Sequence, residues 1–199
     1  DLWCVWLDLR EKGTKLYASK SSDQGKSWSK NTLVYRSPDG SICECCHPSI
    51  AADGESVHVL FRNSLDGNRD MYLVSSNDQG KTFGTAQRLG NQQWKLNACP
   101  MDGGMLAVTS KGEVVSAWRR EGTVLVTDQQ APSETSLGVG EQPWIATSSN
   151  GNYTAWITKR AGDLMLAAPN SASPVKIAAQ ALDPVIVSST NGKPSVHIF

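Results

Sequence analysis

Four cysteines in two short segments are the residues whose types and spacing most directly suggest chemistry. Three lie in Cys-Glu-Cys-Cys-His-Pro at positions 43–48, and one opens Cys-Pro-Met at 99–101. The candidate sulfur and nitrogen ligands are Cys43, Cys45, Cys46, His47, Cys99 and Met101. Thiolates and thioethers favour Cu(I), whereas thiolate combined with imidazole favours Zn. One interpretation is therefore a soft-metal site for Cu or Zn.

Two other interpretations of the same cysteines stay open. Disulfides are the common state in exported proteins, and free or redox-active thiols are the third possibility. A bridge between Cys45 and Cys46 is disfavoured because neighbouring Cα atoms are only ~3.8 Å apart. Pairings of the type Cys43–Cys46 or Cys45–Cys99 are easier, and the sequence does not choose between them. The fifth cysteine, Cys4, lies in an apolar segment and is expected to be a small buried residue.

A polar turn motif occurs twice, with its two Asp residues 55 positions apart. In each copy the Asp carboxylate can accept backbone N–H groups of its own turn, and the Gly permits a positive φ. The hydroxyls can satisfy other turn groups, and the aromatic residue is expected to pack under the turn. The predicted structural residues are Ser21, Asp23, Gly25, Trp28, Ser76, Asp78, Gly80 and Phe83. A worn third copy spans 126–133.

The elements that must carry these turns are short strands in a repeating pattern. One unit recurs along the chain: an apolar strand, a turn that contains Gly, and a second strand that ends on an aromatic residue. The aromatic residues that close these second strands are Trp6, Phe61, Trp118, Trp156 and Phe199. Units of four short strands at this period predict an all-β fold, a β-propeller of four-stranded antiparallel blades. A single propeller domain over 1–199 is expected, with blades near 1–37, 46–92, 102–138, 141–179 and 182–199, the last one partial.

The motif Ser/Thr-x-Asp-x-Gly-x-Ser/Thr-Trp/Phe at 21–28 and 76–83 resembles the Asp box of sialidases and related propellers. This resemblance implies a six-bladed ring with the boxes on its rim, away from the active site. Phe-Arg-Asn at 61–63, Asn-Arg-Asp at 68–70 and the two cysteine segments are also similar to a group of exported bacterial proteins with sialidase-like repeats. We therefore expect a secreted or periplasmic protein that binds glycans or hydrolyses glycosides.

The sialidase resemblance implies Arg side chains for a substrate carboxylate, a Tyr nucleophile with a Glu partner, and an Asp acid/base. Arg suits this role because its planar group binds a carboxylate bidentately. The candidate catalytic residues are Arg62, Asp70 and Arg119, each with a salt-bridged or solvated structural role as the alternative. The Arg-Ile-Pro motif of sialidases is absent. Tyr17 and Tyr72 stand at matching positions before the two Asp boxes, so we interpret them as packing residues of the repeat rather than as nucleophiles. The alternative function is a non-catalytic subunit that binds a partner or a soft metal.

Charge and composition limit the partners. The chain has 19 Lys plus Arg and 19 Asp plus Glu, so its net charge is zero. A balanced charge gives no support for a nucleic-acid partner, and no apolar run reaches the roughly 20 residues of a membrane span. The expected partners are a glycan or a protein. Because a propeller must hide its sheet edges, we expect further residues or another subunit to complete the ring.

Overall fold

The computed structural model describes residues 1–128, 134–189 and 195–199 of the chain. Within them the chain forms 17 strands in five antiparallel sheets, and no described residue is helical. It divides into two compact units, 1–103 and 104–199.

The first unit contains two sheets. The strands of the first sheet, in spatial order, are β1 (Leu2–Asp8), β2 (Lys15–Ser21) and β3 (Thr32–Arg36). The strands of the second sheet are β4 (Ser49–Asp53), β5 (Ser56–Arg62), β6 (Met71–Ser76) and β7 (Gln87–Arg88). Sequential strands are neighbours throughout, as expected for antiparallel strands joined by short connections.

The second strand of the second sheet, β5, shows why this sequence forms blades. Residues 57–62 are all buried, so both faces of the strand are covered rather than one. The sequence Val-His-Val-Leu-Phe-Arg matches such a doubly covered strand, which does not alternate between apolar and polar residues. The core of the unit consists of Leu16, Ala18, Val34, Ile42, Val59, Phe61 and Val74.

The second unit contains three sheets. The strands of its first sheet, in chain order, are β8 (Met105–Val108), β9 (Val114–Arg120), β10 (Thr123–Asp128) and β11 (Thr135–Val139). The next sheet consists of β12 (Glu141–Ser148), β13 (Gly151–Ile157), β14 (Gly162–Ala167) and β15 (Val175–Ala181). The last sheet has two strands, β16 (Ile186–Ser189) and β17 (Ser195–Ile198).

Two clusters of small and branched side chains form the core of the second unit. One contains Ala146, Ala155, Ile157, Leu164 and Ile186, and the other contains Val115, Ala117 and Ile145. Trp118 and Trp156, two of the closing aromatics, are buried as the repeat pattern predicts. The Trp156 indole Nε1 donates to the Val139 carbonyl oxygen at 3.1 Å, which ties β13 to β11, the last strand of the preceding sheet.

The prediction of an all-β fold built from four-stranded antiparallel sheets is confirmed. The expectation for Cys4 is wrong, because its position in β1 leaves the residue exposed rather than in the core. Most of the worn third turn motif, residues 129–133, lies outside the described residues. The part of the chain that the structure describes has no helix long and apolar enough to cross a membrane.

Candidate functional site

Three segments meet at one end of the second sheet and form the candidate site. One is the segment 41–48 before β4, another is the β5–β6 connection, and the third is the segment 94–103. The Cys43 amide donates to the Arg62 carbonyl oxygen at 3.1 Å, and the Arg69 amide donates to the Trp94 carbonyl oxygen at 2.8 Å. Backbone hydrogen bonds therefore hold these three segments against one another.

The four cysteines of the two sequence segments come together in this site. All four Sγ atoms lie within 4.8 Å of one another. Cys45 and Cys99 form a disulfide with their Cα atoms 6.5 Å apart, whereas Cys43 and Cys46 are free thiols. The Cys43 Sγ atom lies 3.0 Å from that of Cys46 and 3.7 Å from that of Cys45. Of the pairings that the sequence leaves open, the structure contains Cys45–Cys99.

The two free thiols are buried and electrostatically unequal. A hydrogen bond from Cys46 lowers the pKa of the Cys43 thiol, and the positive charges of Arg69 and Arg62 act in the same direction. The same contact with Cys43, together with burial, raises the pKa of the Cys46 thiol. The site therefore favours a thiolate at Cys43, and the thiolate is the form in which cysteine binds metals or attacks disulfides.

A pocket of about 380 Å³ opens beside the cysteines. It is lined by Ser41, Ile42, Cys43, Glu44, Cys45, Ser64, Arg69 and Cys99. Hydrogen bonds from the Thr14 and Ser41 hydroxyls, 2.8 and 2.9 Å long, hold the Glu44 carboxylate and lower its pKa. A fixed carboxylate, a guanidinium and sulfur atoms thus border the same space.

The two remaining predicted metal ligands do not extend the cluster. His47 is outside the group of mutually close donor atoms, and burial lowers the pKa of its imidazole. The Met101 side chain is 74% exposed. Gly103 allows the chain to pass His47, because a Cβ at position 103 would lie 2.2 Å from the His47 carbonyl oxygen.

Arg62, predicted to be catalytic, lies at the end of β5 with only 1% of its surface exposed. Its Nε donates to the Asp102 carbonyl oxygen at 3.0 Å, and its Nη1 donates to the Arg69 carbonyl oxygen at 2.6 Å. The guanidinium also lies 5.3 Å from the centre of the Trp94 ring, within cation–π range. These contacts give Arg62 an anchoring role between the segments of the site, and its catalytic role stays a prediction.

Asp70, the predicted acid/base, is buried next to the site at the start of β6. Its Oδ1 accepts the Trp94 amide at 2.8 Å, and its carbonyl oxygen accepts the Asn63 amide at 2.9 Å. Its Oδ2 is buried without a hydrogen-bond partner. A buried carboxylate oxygen in that state is costly and marks a group for which a function should be sought.

Arg119, the third predicted catalytic residue, belongs to the second unit. Its guanidinium lies in an ion pair of 3.2 Å with the Glu141 carboxylate, near the end of β9. The neighbouring Arg120 forms an ion pair with Glu134. The salt-bridged alternative is therefore realised for Arg119, and its catalytic role also stays a prediction.

The two turn motifs form nearly the same hydrogen-bond network. In the second copy the Thr82 amide and hydroxyl donate to the two oxygens of Asp78, at 2.9 and 2.6 Å. Ser76 donates to Asp78 at 2.7 Å and accepts the Gly80 amide at 2.9 Å. In the first copy Ser21, Asp23, Gly25 and Ser27 repeat these bonds within 0.1 Å.

The aromatic residues of the two motifs differ. Phe83 packs against the core of the first unit, as expected for a residue under the turn. Trp28 is 47% exposed, so the expected burial does not occur in the first copy. Both motifs begin at the last residue of a strand, Ser21 of β2 and Ser76 of β6. The cysteine site borders the opposite ends of these strands, where Thr14 precedes β2 and donates to Glu44, and Asp70 precedes β6.

The sequence offers Arg69 as an available cation and Trp94 as a residue that could stack on a sugar, but neither is among the predicted site residues. In the structure Arg69 lines the pocket, and Trp94 contacts both Arg62 and Asp70. Arg69 stands in Asn-Arg-Asp at 68–70, next to a residue that was selected, so its position was a usable signal. Trp94 lies in a connection between repeats and carries no periodic signal. Only the folded chain brings it to the site.

Comparison with known proteins gives structural similarity without sequence similarity. No family model matches the chain, and no curated protein sequence matches it. An α-L-arabinofuranosidase of Fusarium graminearum aligns with a TM-score of 0.62 and 11% identity, over 94% of this chain and 63% of that one. A Hadza microbial sialidase aligns with a TM-score of 0.58 and 10% identity, over 92% and 45% of the two chains.

The NanB sialidase of Streptococcus pneumoniae aligns with a TM-score of 0.55 and 11% identity, over 95% of this chain and 52% of that one. The chain thus spans between 45% and 63% of the length of these three proteins. At such low identity the similarity shows the fold alone. The chain has a β-propeller fold of the kind found in glycoside hydrolases.

Proposed function

We propose that this chain belongs to an exported, sialidase-like propeller of the Asp-box type that binds glycans or hydrolyses glycosides. The observation that carries the proposal is the propeller fold shared with an arabinofuranosidase and with sialidases over 92–95% of the chain. The hydrogen-bond networks at 21–27 and 76–82 support the Asp-box assignment. The Cys45–Cys99 disulfide agrees with export, because disulfides persist in oxidising compartments.

In this proposal the glycan binds at the end of the sheets that carries the cysteine site. The pocket there presents the Arg69 guanidinium, whose buried Nε has no hydrogen-bond partner, as a donor to a sugar hydroxyl or carboxylate. Asp70 is the acid/base candidate, since one of its carboxylate oxygens is buried and free. Arg62 acts as a positioning residue, because its donors hold the backbone of Arg69 and Asp102.

The test is a panel of fluorogenic glycosides, including a sialoside, an α-L-arabinofuranoside and a β-xyloside, combined with a glycan-binding array. We expect binding to at least one glycan class, and Arg69→Gln should weaken it by tenfold or more if a charged hydrogen bond is lost, roughly 1.5–3 kcal/mol. Arg36→Gln, a change at an exposed arginine, is the matched control. If the panel is cleaved, Asp70→Asn should abolish turnover. Absence of both binding and turnover would contradict the proposal.

The second candidate is a non-catalytic propeller subunit that binds a partner protein. It is favoured because two predicted catalytic arginines already bind other groups of the chain. Arg62 donates to backbone carbonyl oxygens, and Arg119 forms an ion pair with Glu141. The two-stranded sheet of β16 and β17 offers edges at which another strand can pair. Glycan binding without turnover, together with a co-purifying protein that protects β17 from hydrogen exchange, would support this candidate over the enzyme.

A further inference from the structure

The sulfur atoms of the cysteine site have the spacing of a metal centre. A tetrahedral zinc site with Zn–S bonds of about 2.3 Å separates its sulfur atoms by about 3.8 Å. The distances between Sγ atoms are 3.7 Å for Cys43 and Cys45, 4.0 Å for Cys45 and Cys46, and 3.0 Å for Cys43 and Cys46. Two of these three distances lie within about 0.2 Å of the tetrahedral separation, and the Cys43–Cys46 distance must lengthen by about 0.8 Å to reach it.

The fourth sulfur, that of Cys99, lies in the same group because it is bonded to Cys45. Breaking this bond lets the two sulfurs separate from covalent distance to the spacing of ligands, while the 6.5 Å between their Cα atoms limits how far they move apart. Cys45 and Cys99 are exposed and line the pocket, whereas Cys43 and Cys46 are buried. An ion can therefore reach the site from solvent through the pocket, and two of its ligands, Cys43 and Cys46, are already buried.

The charges around the site decide between the ions that thiolates bind. Four thiolates around a divalent ion carry a net charge of −2, and around a monovalent ion they carry −3. The positive charges that act on Cys43 are those of Arg69 and Arg62, two in number. The two guanidinium groups offset more of the charge of the divalent complex than of the monovalent one, and the Glu44 carboxylate of the same pocket adds a negative charge to both. The divalent ion therefore leaves the smaller excess of negative charge in this partly buried site, and such an excess is unfavourable. Zn²⁺ is the common divalent ion that four cysteines select.

We propose that reduction of the Cys45–Cys99 disulfide converts this cluster into a four-cysteine Zn²⁺ site formed by Cys43, Cys45, Cys46 and Cys99. A dithiol reductant supplies two electrons and two protons, so the disulfide becomes two thiols and the reductant becomes a disulfide. Zn²⁺ then forms four Zn–S bonds, and each of the four sulfurs that still carries a proton loses it to solvent as its S–H bond breaks. The disulfide and the metal exclude each other, which makes the site responsive to redox conditions. This inference goes beyond glycan recognition and does not depend on it.

The test uses the full 199-residue chain, reduced and metal-free under anaerobic conditions. Titration with Zn²⁺ against a chromogenic chelator should give one equivalent per chain, and Co²⁺ should give the visible spectrum of a tetrahedral tetrathiolate. Cys99→Ser should weaken Zn²⁺ binding by more than the ~10–100-fold that loss of an outer-shell partner causes. The matched control is Cys4→Ser, a change at an exposed cysteine of β1, and it should bind as the unaltered chain does.

A second arm uses the unaltered chain with its disulfide intact and therefore does not depend on the folding of a variant. This oxidised form should bind Zn²⁺ at least tenfold more weakly than the reduced form. Equal binding by both forms, binding unaffected by Cys99→Ser, or a Co²⁺ spectrum with fewer than four thiolates would overturn the proposal. Tighter retention of Cu⁺ through three or fewer sulfurs in a direct competition would also overturn it.

Discussion

At the scale of single residues, several charged groups in this chain hold the turn or segment around them in place. The carboxylate of Asp23 accepts hydrogen bonds from Ser27 and Ser21, and these bonds lower its pKa to about 2. Asp78 accepts the equivalent hydrogen bonds from Thr82 and Ser76 in the second motif, and its pKa is lowered for the same reason. The Arg62 guanidinium donates hydrogen bonds to the carbonyl oxygens of Asp102 and Arg69 and so holds their segments in place. The sequence indicated the role of the two Asp residues because their partners lie within the same turn.

Asp23→Asn should lower the melting temperature at neutral pH by several degrees, since the ionised carboxylate is the form that the turn binds. The folded-state pKa is about 2 against an ordinary value of 3.8, so the stabilisation is complete above pH 3.8 and is lost as the pH falls toward 2. The difference in melting temperature between the unaltered chain and the variant should therefore shrink over this range.

Thermal scans from pH 7 to pH 2 measure this difference, with Asp53→Asn, at the exposed end of β4, as the control. A difference that stays constant down to pH 2, or a control that behaves like Asp23→Asn, would contradict the carboxylate's role in the turn.

Arg62→Met tests the anchoring role of the buried guanidinium. The change leaves the carbonyl oxygens of Arg69 and Asp102 without these donors, and each unsatisfied buried acceptor is worth roughly 1–3 kcal/mol of unfolding free energy. Arg36→Met removes an exposed ion pair and should change the unfolding free energy by less than about 1 kcal/mol. Urea unfolding compares the two variants through their midpoints at constant slope. Equal midpoints would show that Arg62 is not an anchor.

At the scale of elements, each sheet is a local structure whose turns are fixed by particular residues. Gly25 and Gly80 occupy the same position in the two turn motifs, with φ of +87° and +71°. Their surroundings differ, because a Cβ at Gly80 would lie 2.4 Å from the Trp3 ring, whereas a Cβ at Gly25 would make only an ordinary contact with Leu2 at 3.6 Å. The repeat is therefore exact in hydrogen bonding but not in packing.

Gly25→Ala and Gly80→Ala form a matched pair that separates these two effects. Both variants place an L-residue in the left-handed region, which costs roughly 1–2 kcal/mol. Gly80→Ala must also displace the Trp3 ring, so its loss of unfolding free energy should be clearly larger. Chemical unfolding of both variants measures the difference, and a cost for Gly25→Ala equal to or above that for Gly80→Ala would refute the packing argument.

At the scale of the whole molecule, the periodic pattern of short strands was enough to predict the fold class. Apolar strand residues such as Val59, Leu60 and Phe61 of β5 are buried as their types predict, and the two turn motifs mark where β2 and β6 end. The same information could not predict the site. The identity to the similar glycosidases is only 10–11%, so chemistry does not transfer with the fold.

The cysteine pairing shows the physical reason for this limit. Cys45 and Cys99 are 54 positions apart, and only the hydrogen-bonded assembly of three segments brings them together. Asp70 and Trp94 are likewise joined by a contact between segments that no local pattern encodes. Local motifs predicted local turns, whereas the site depends on non-local contacts.

The most direct test of the account is peptide mapping of the chain isolated without reductant, after alkylation of its free thiols. The central claim is that the segments 41–48 and 94–103 meet at one end of the first unit and place four sulfurs together. We expect one cross-linked peptide pair joining Cys45 to Cys99, with Cys4, Cys43 and Cys46 alkylated. A bridge between Cys43 and Cys46, or a bridge that includes Cys4, would contradict it.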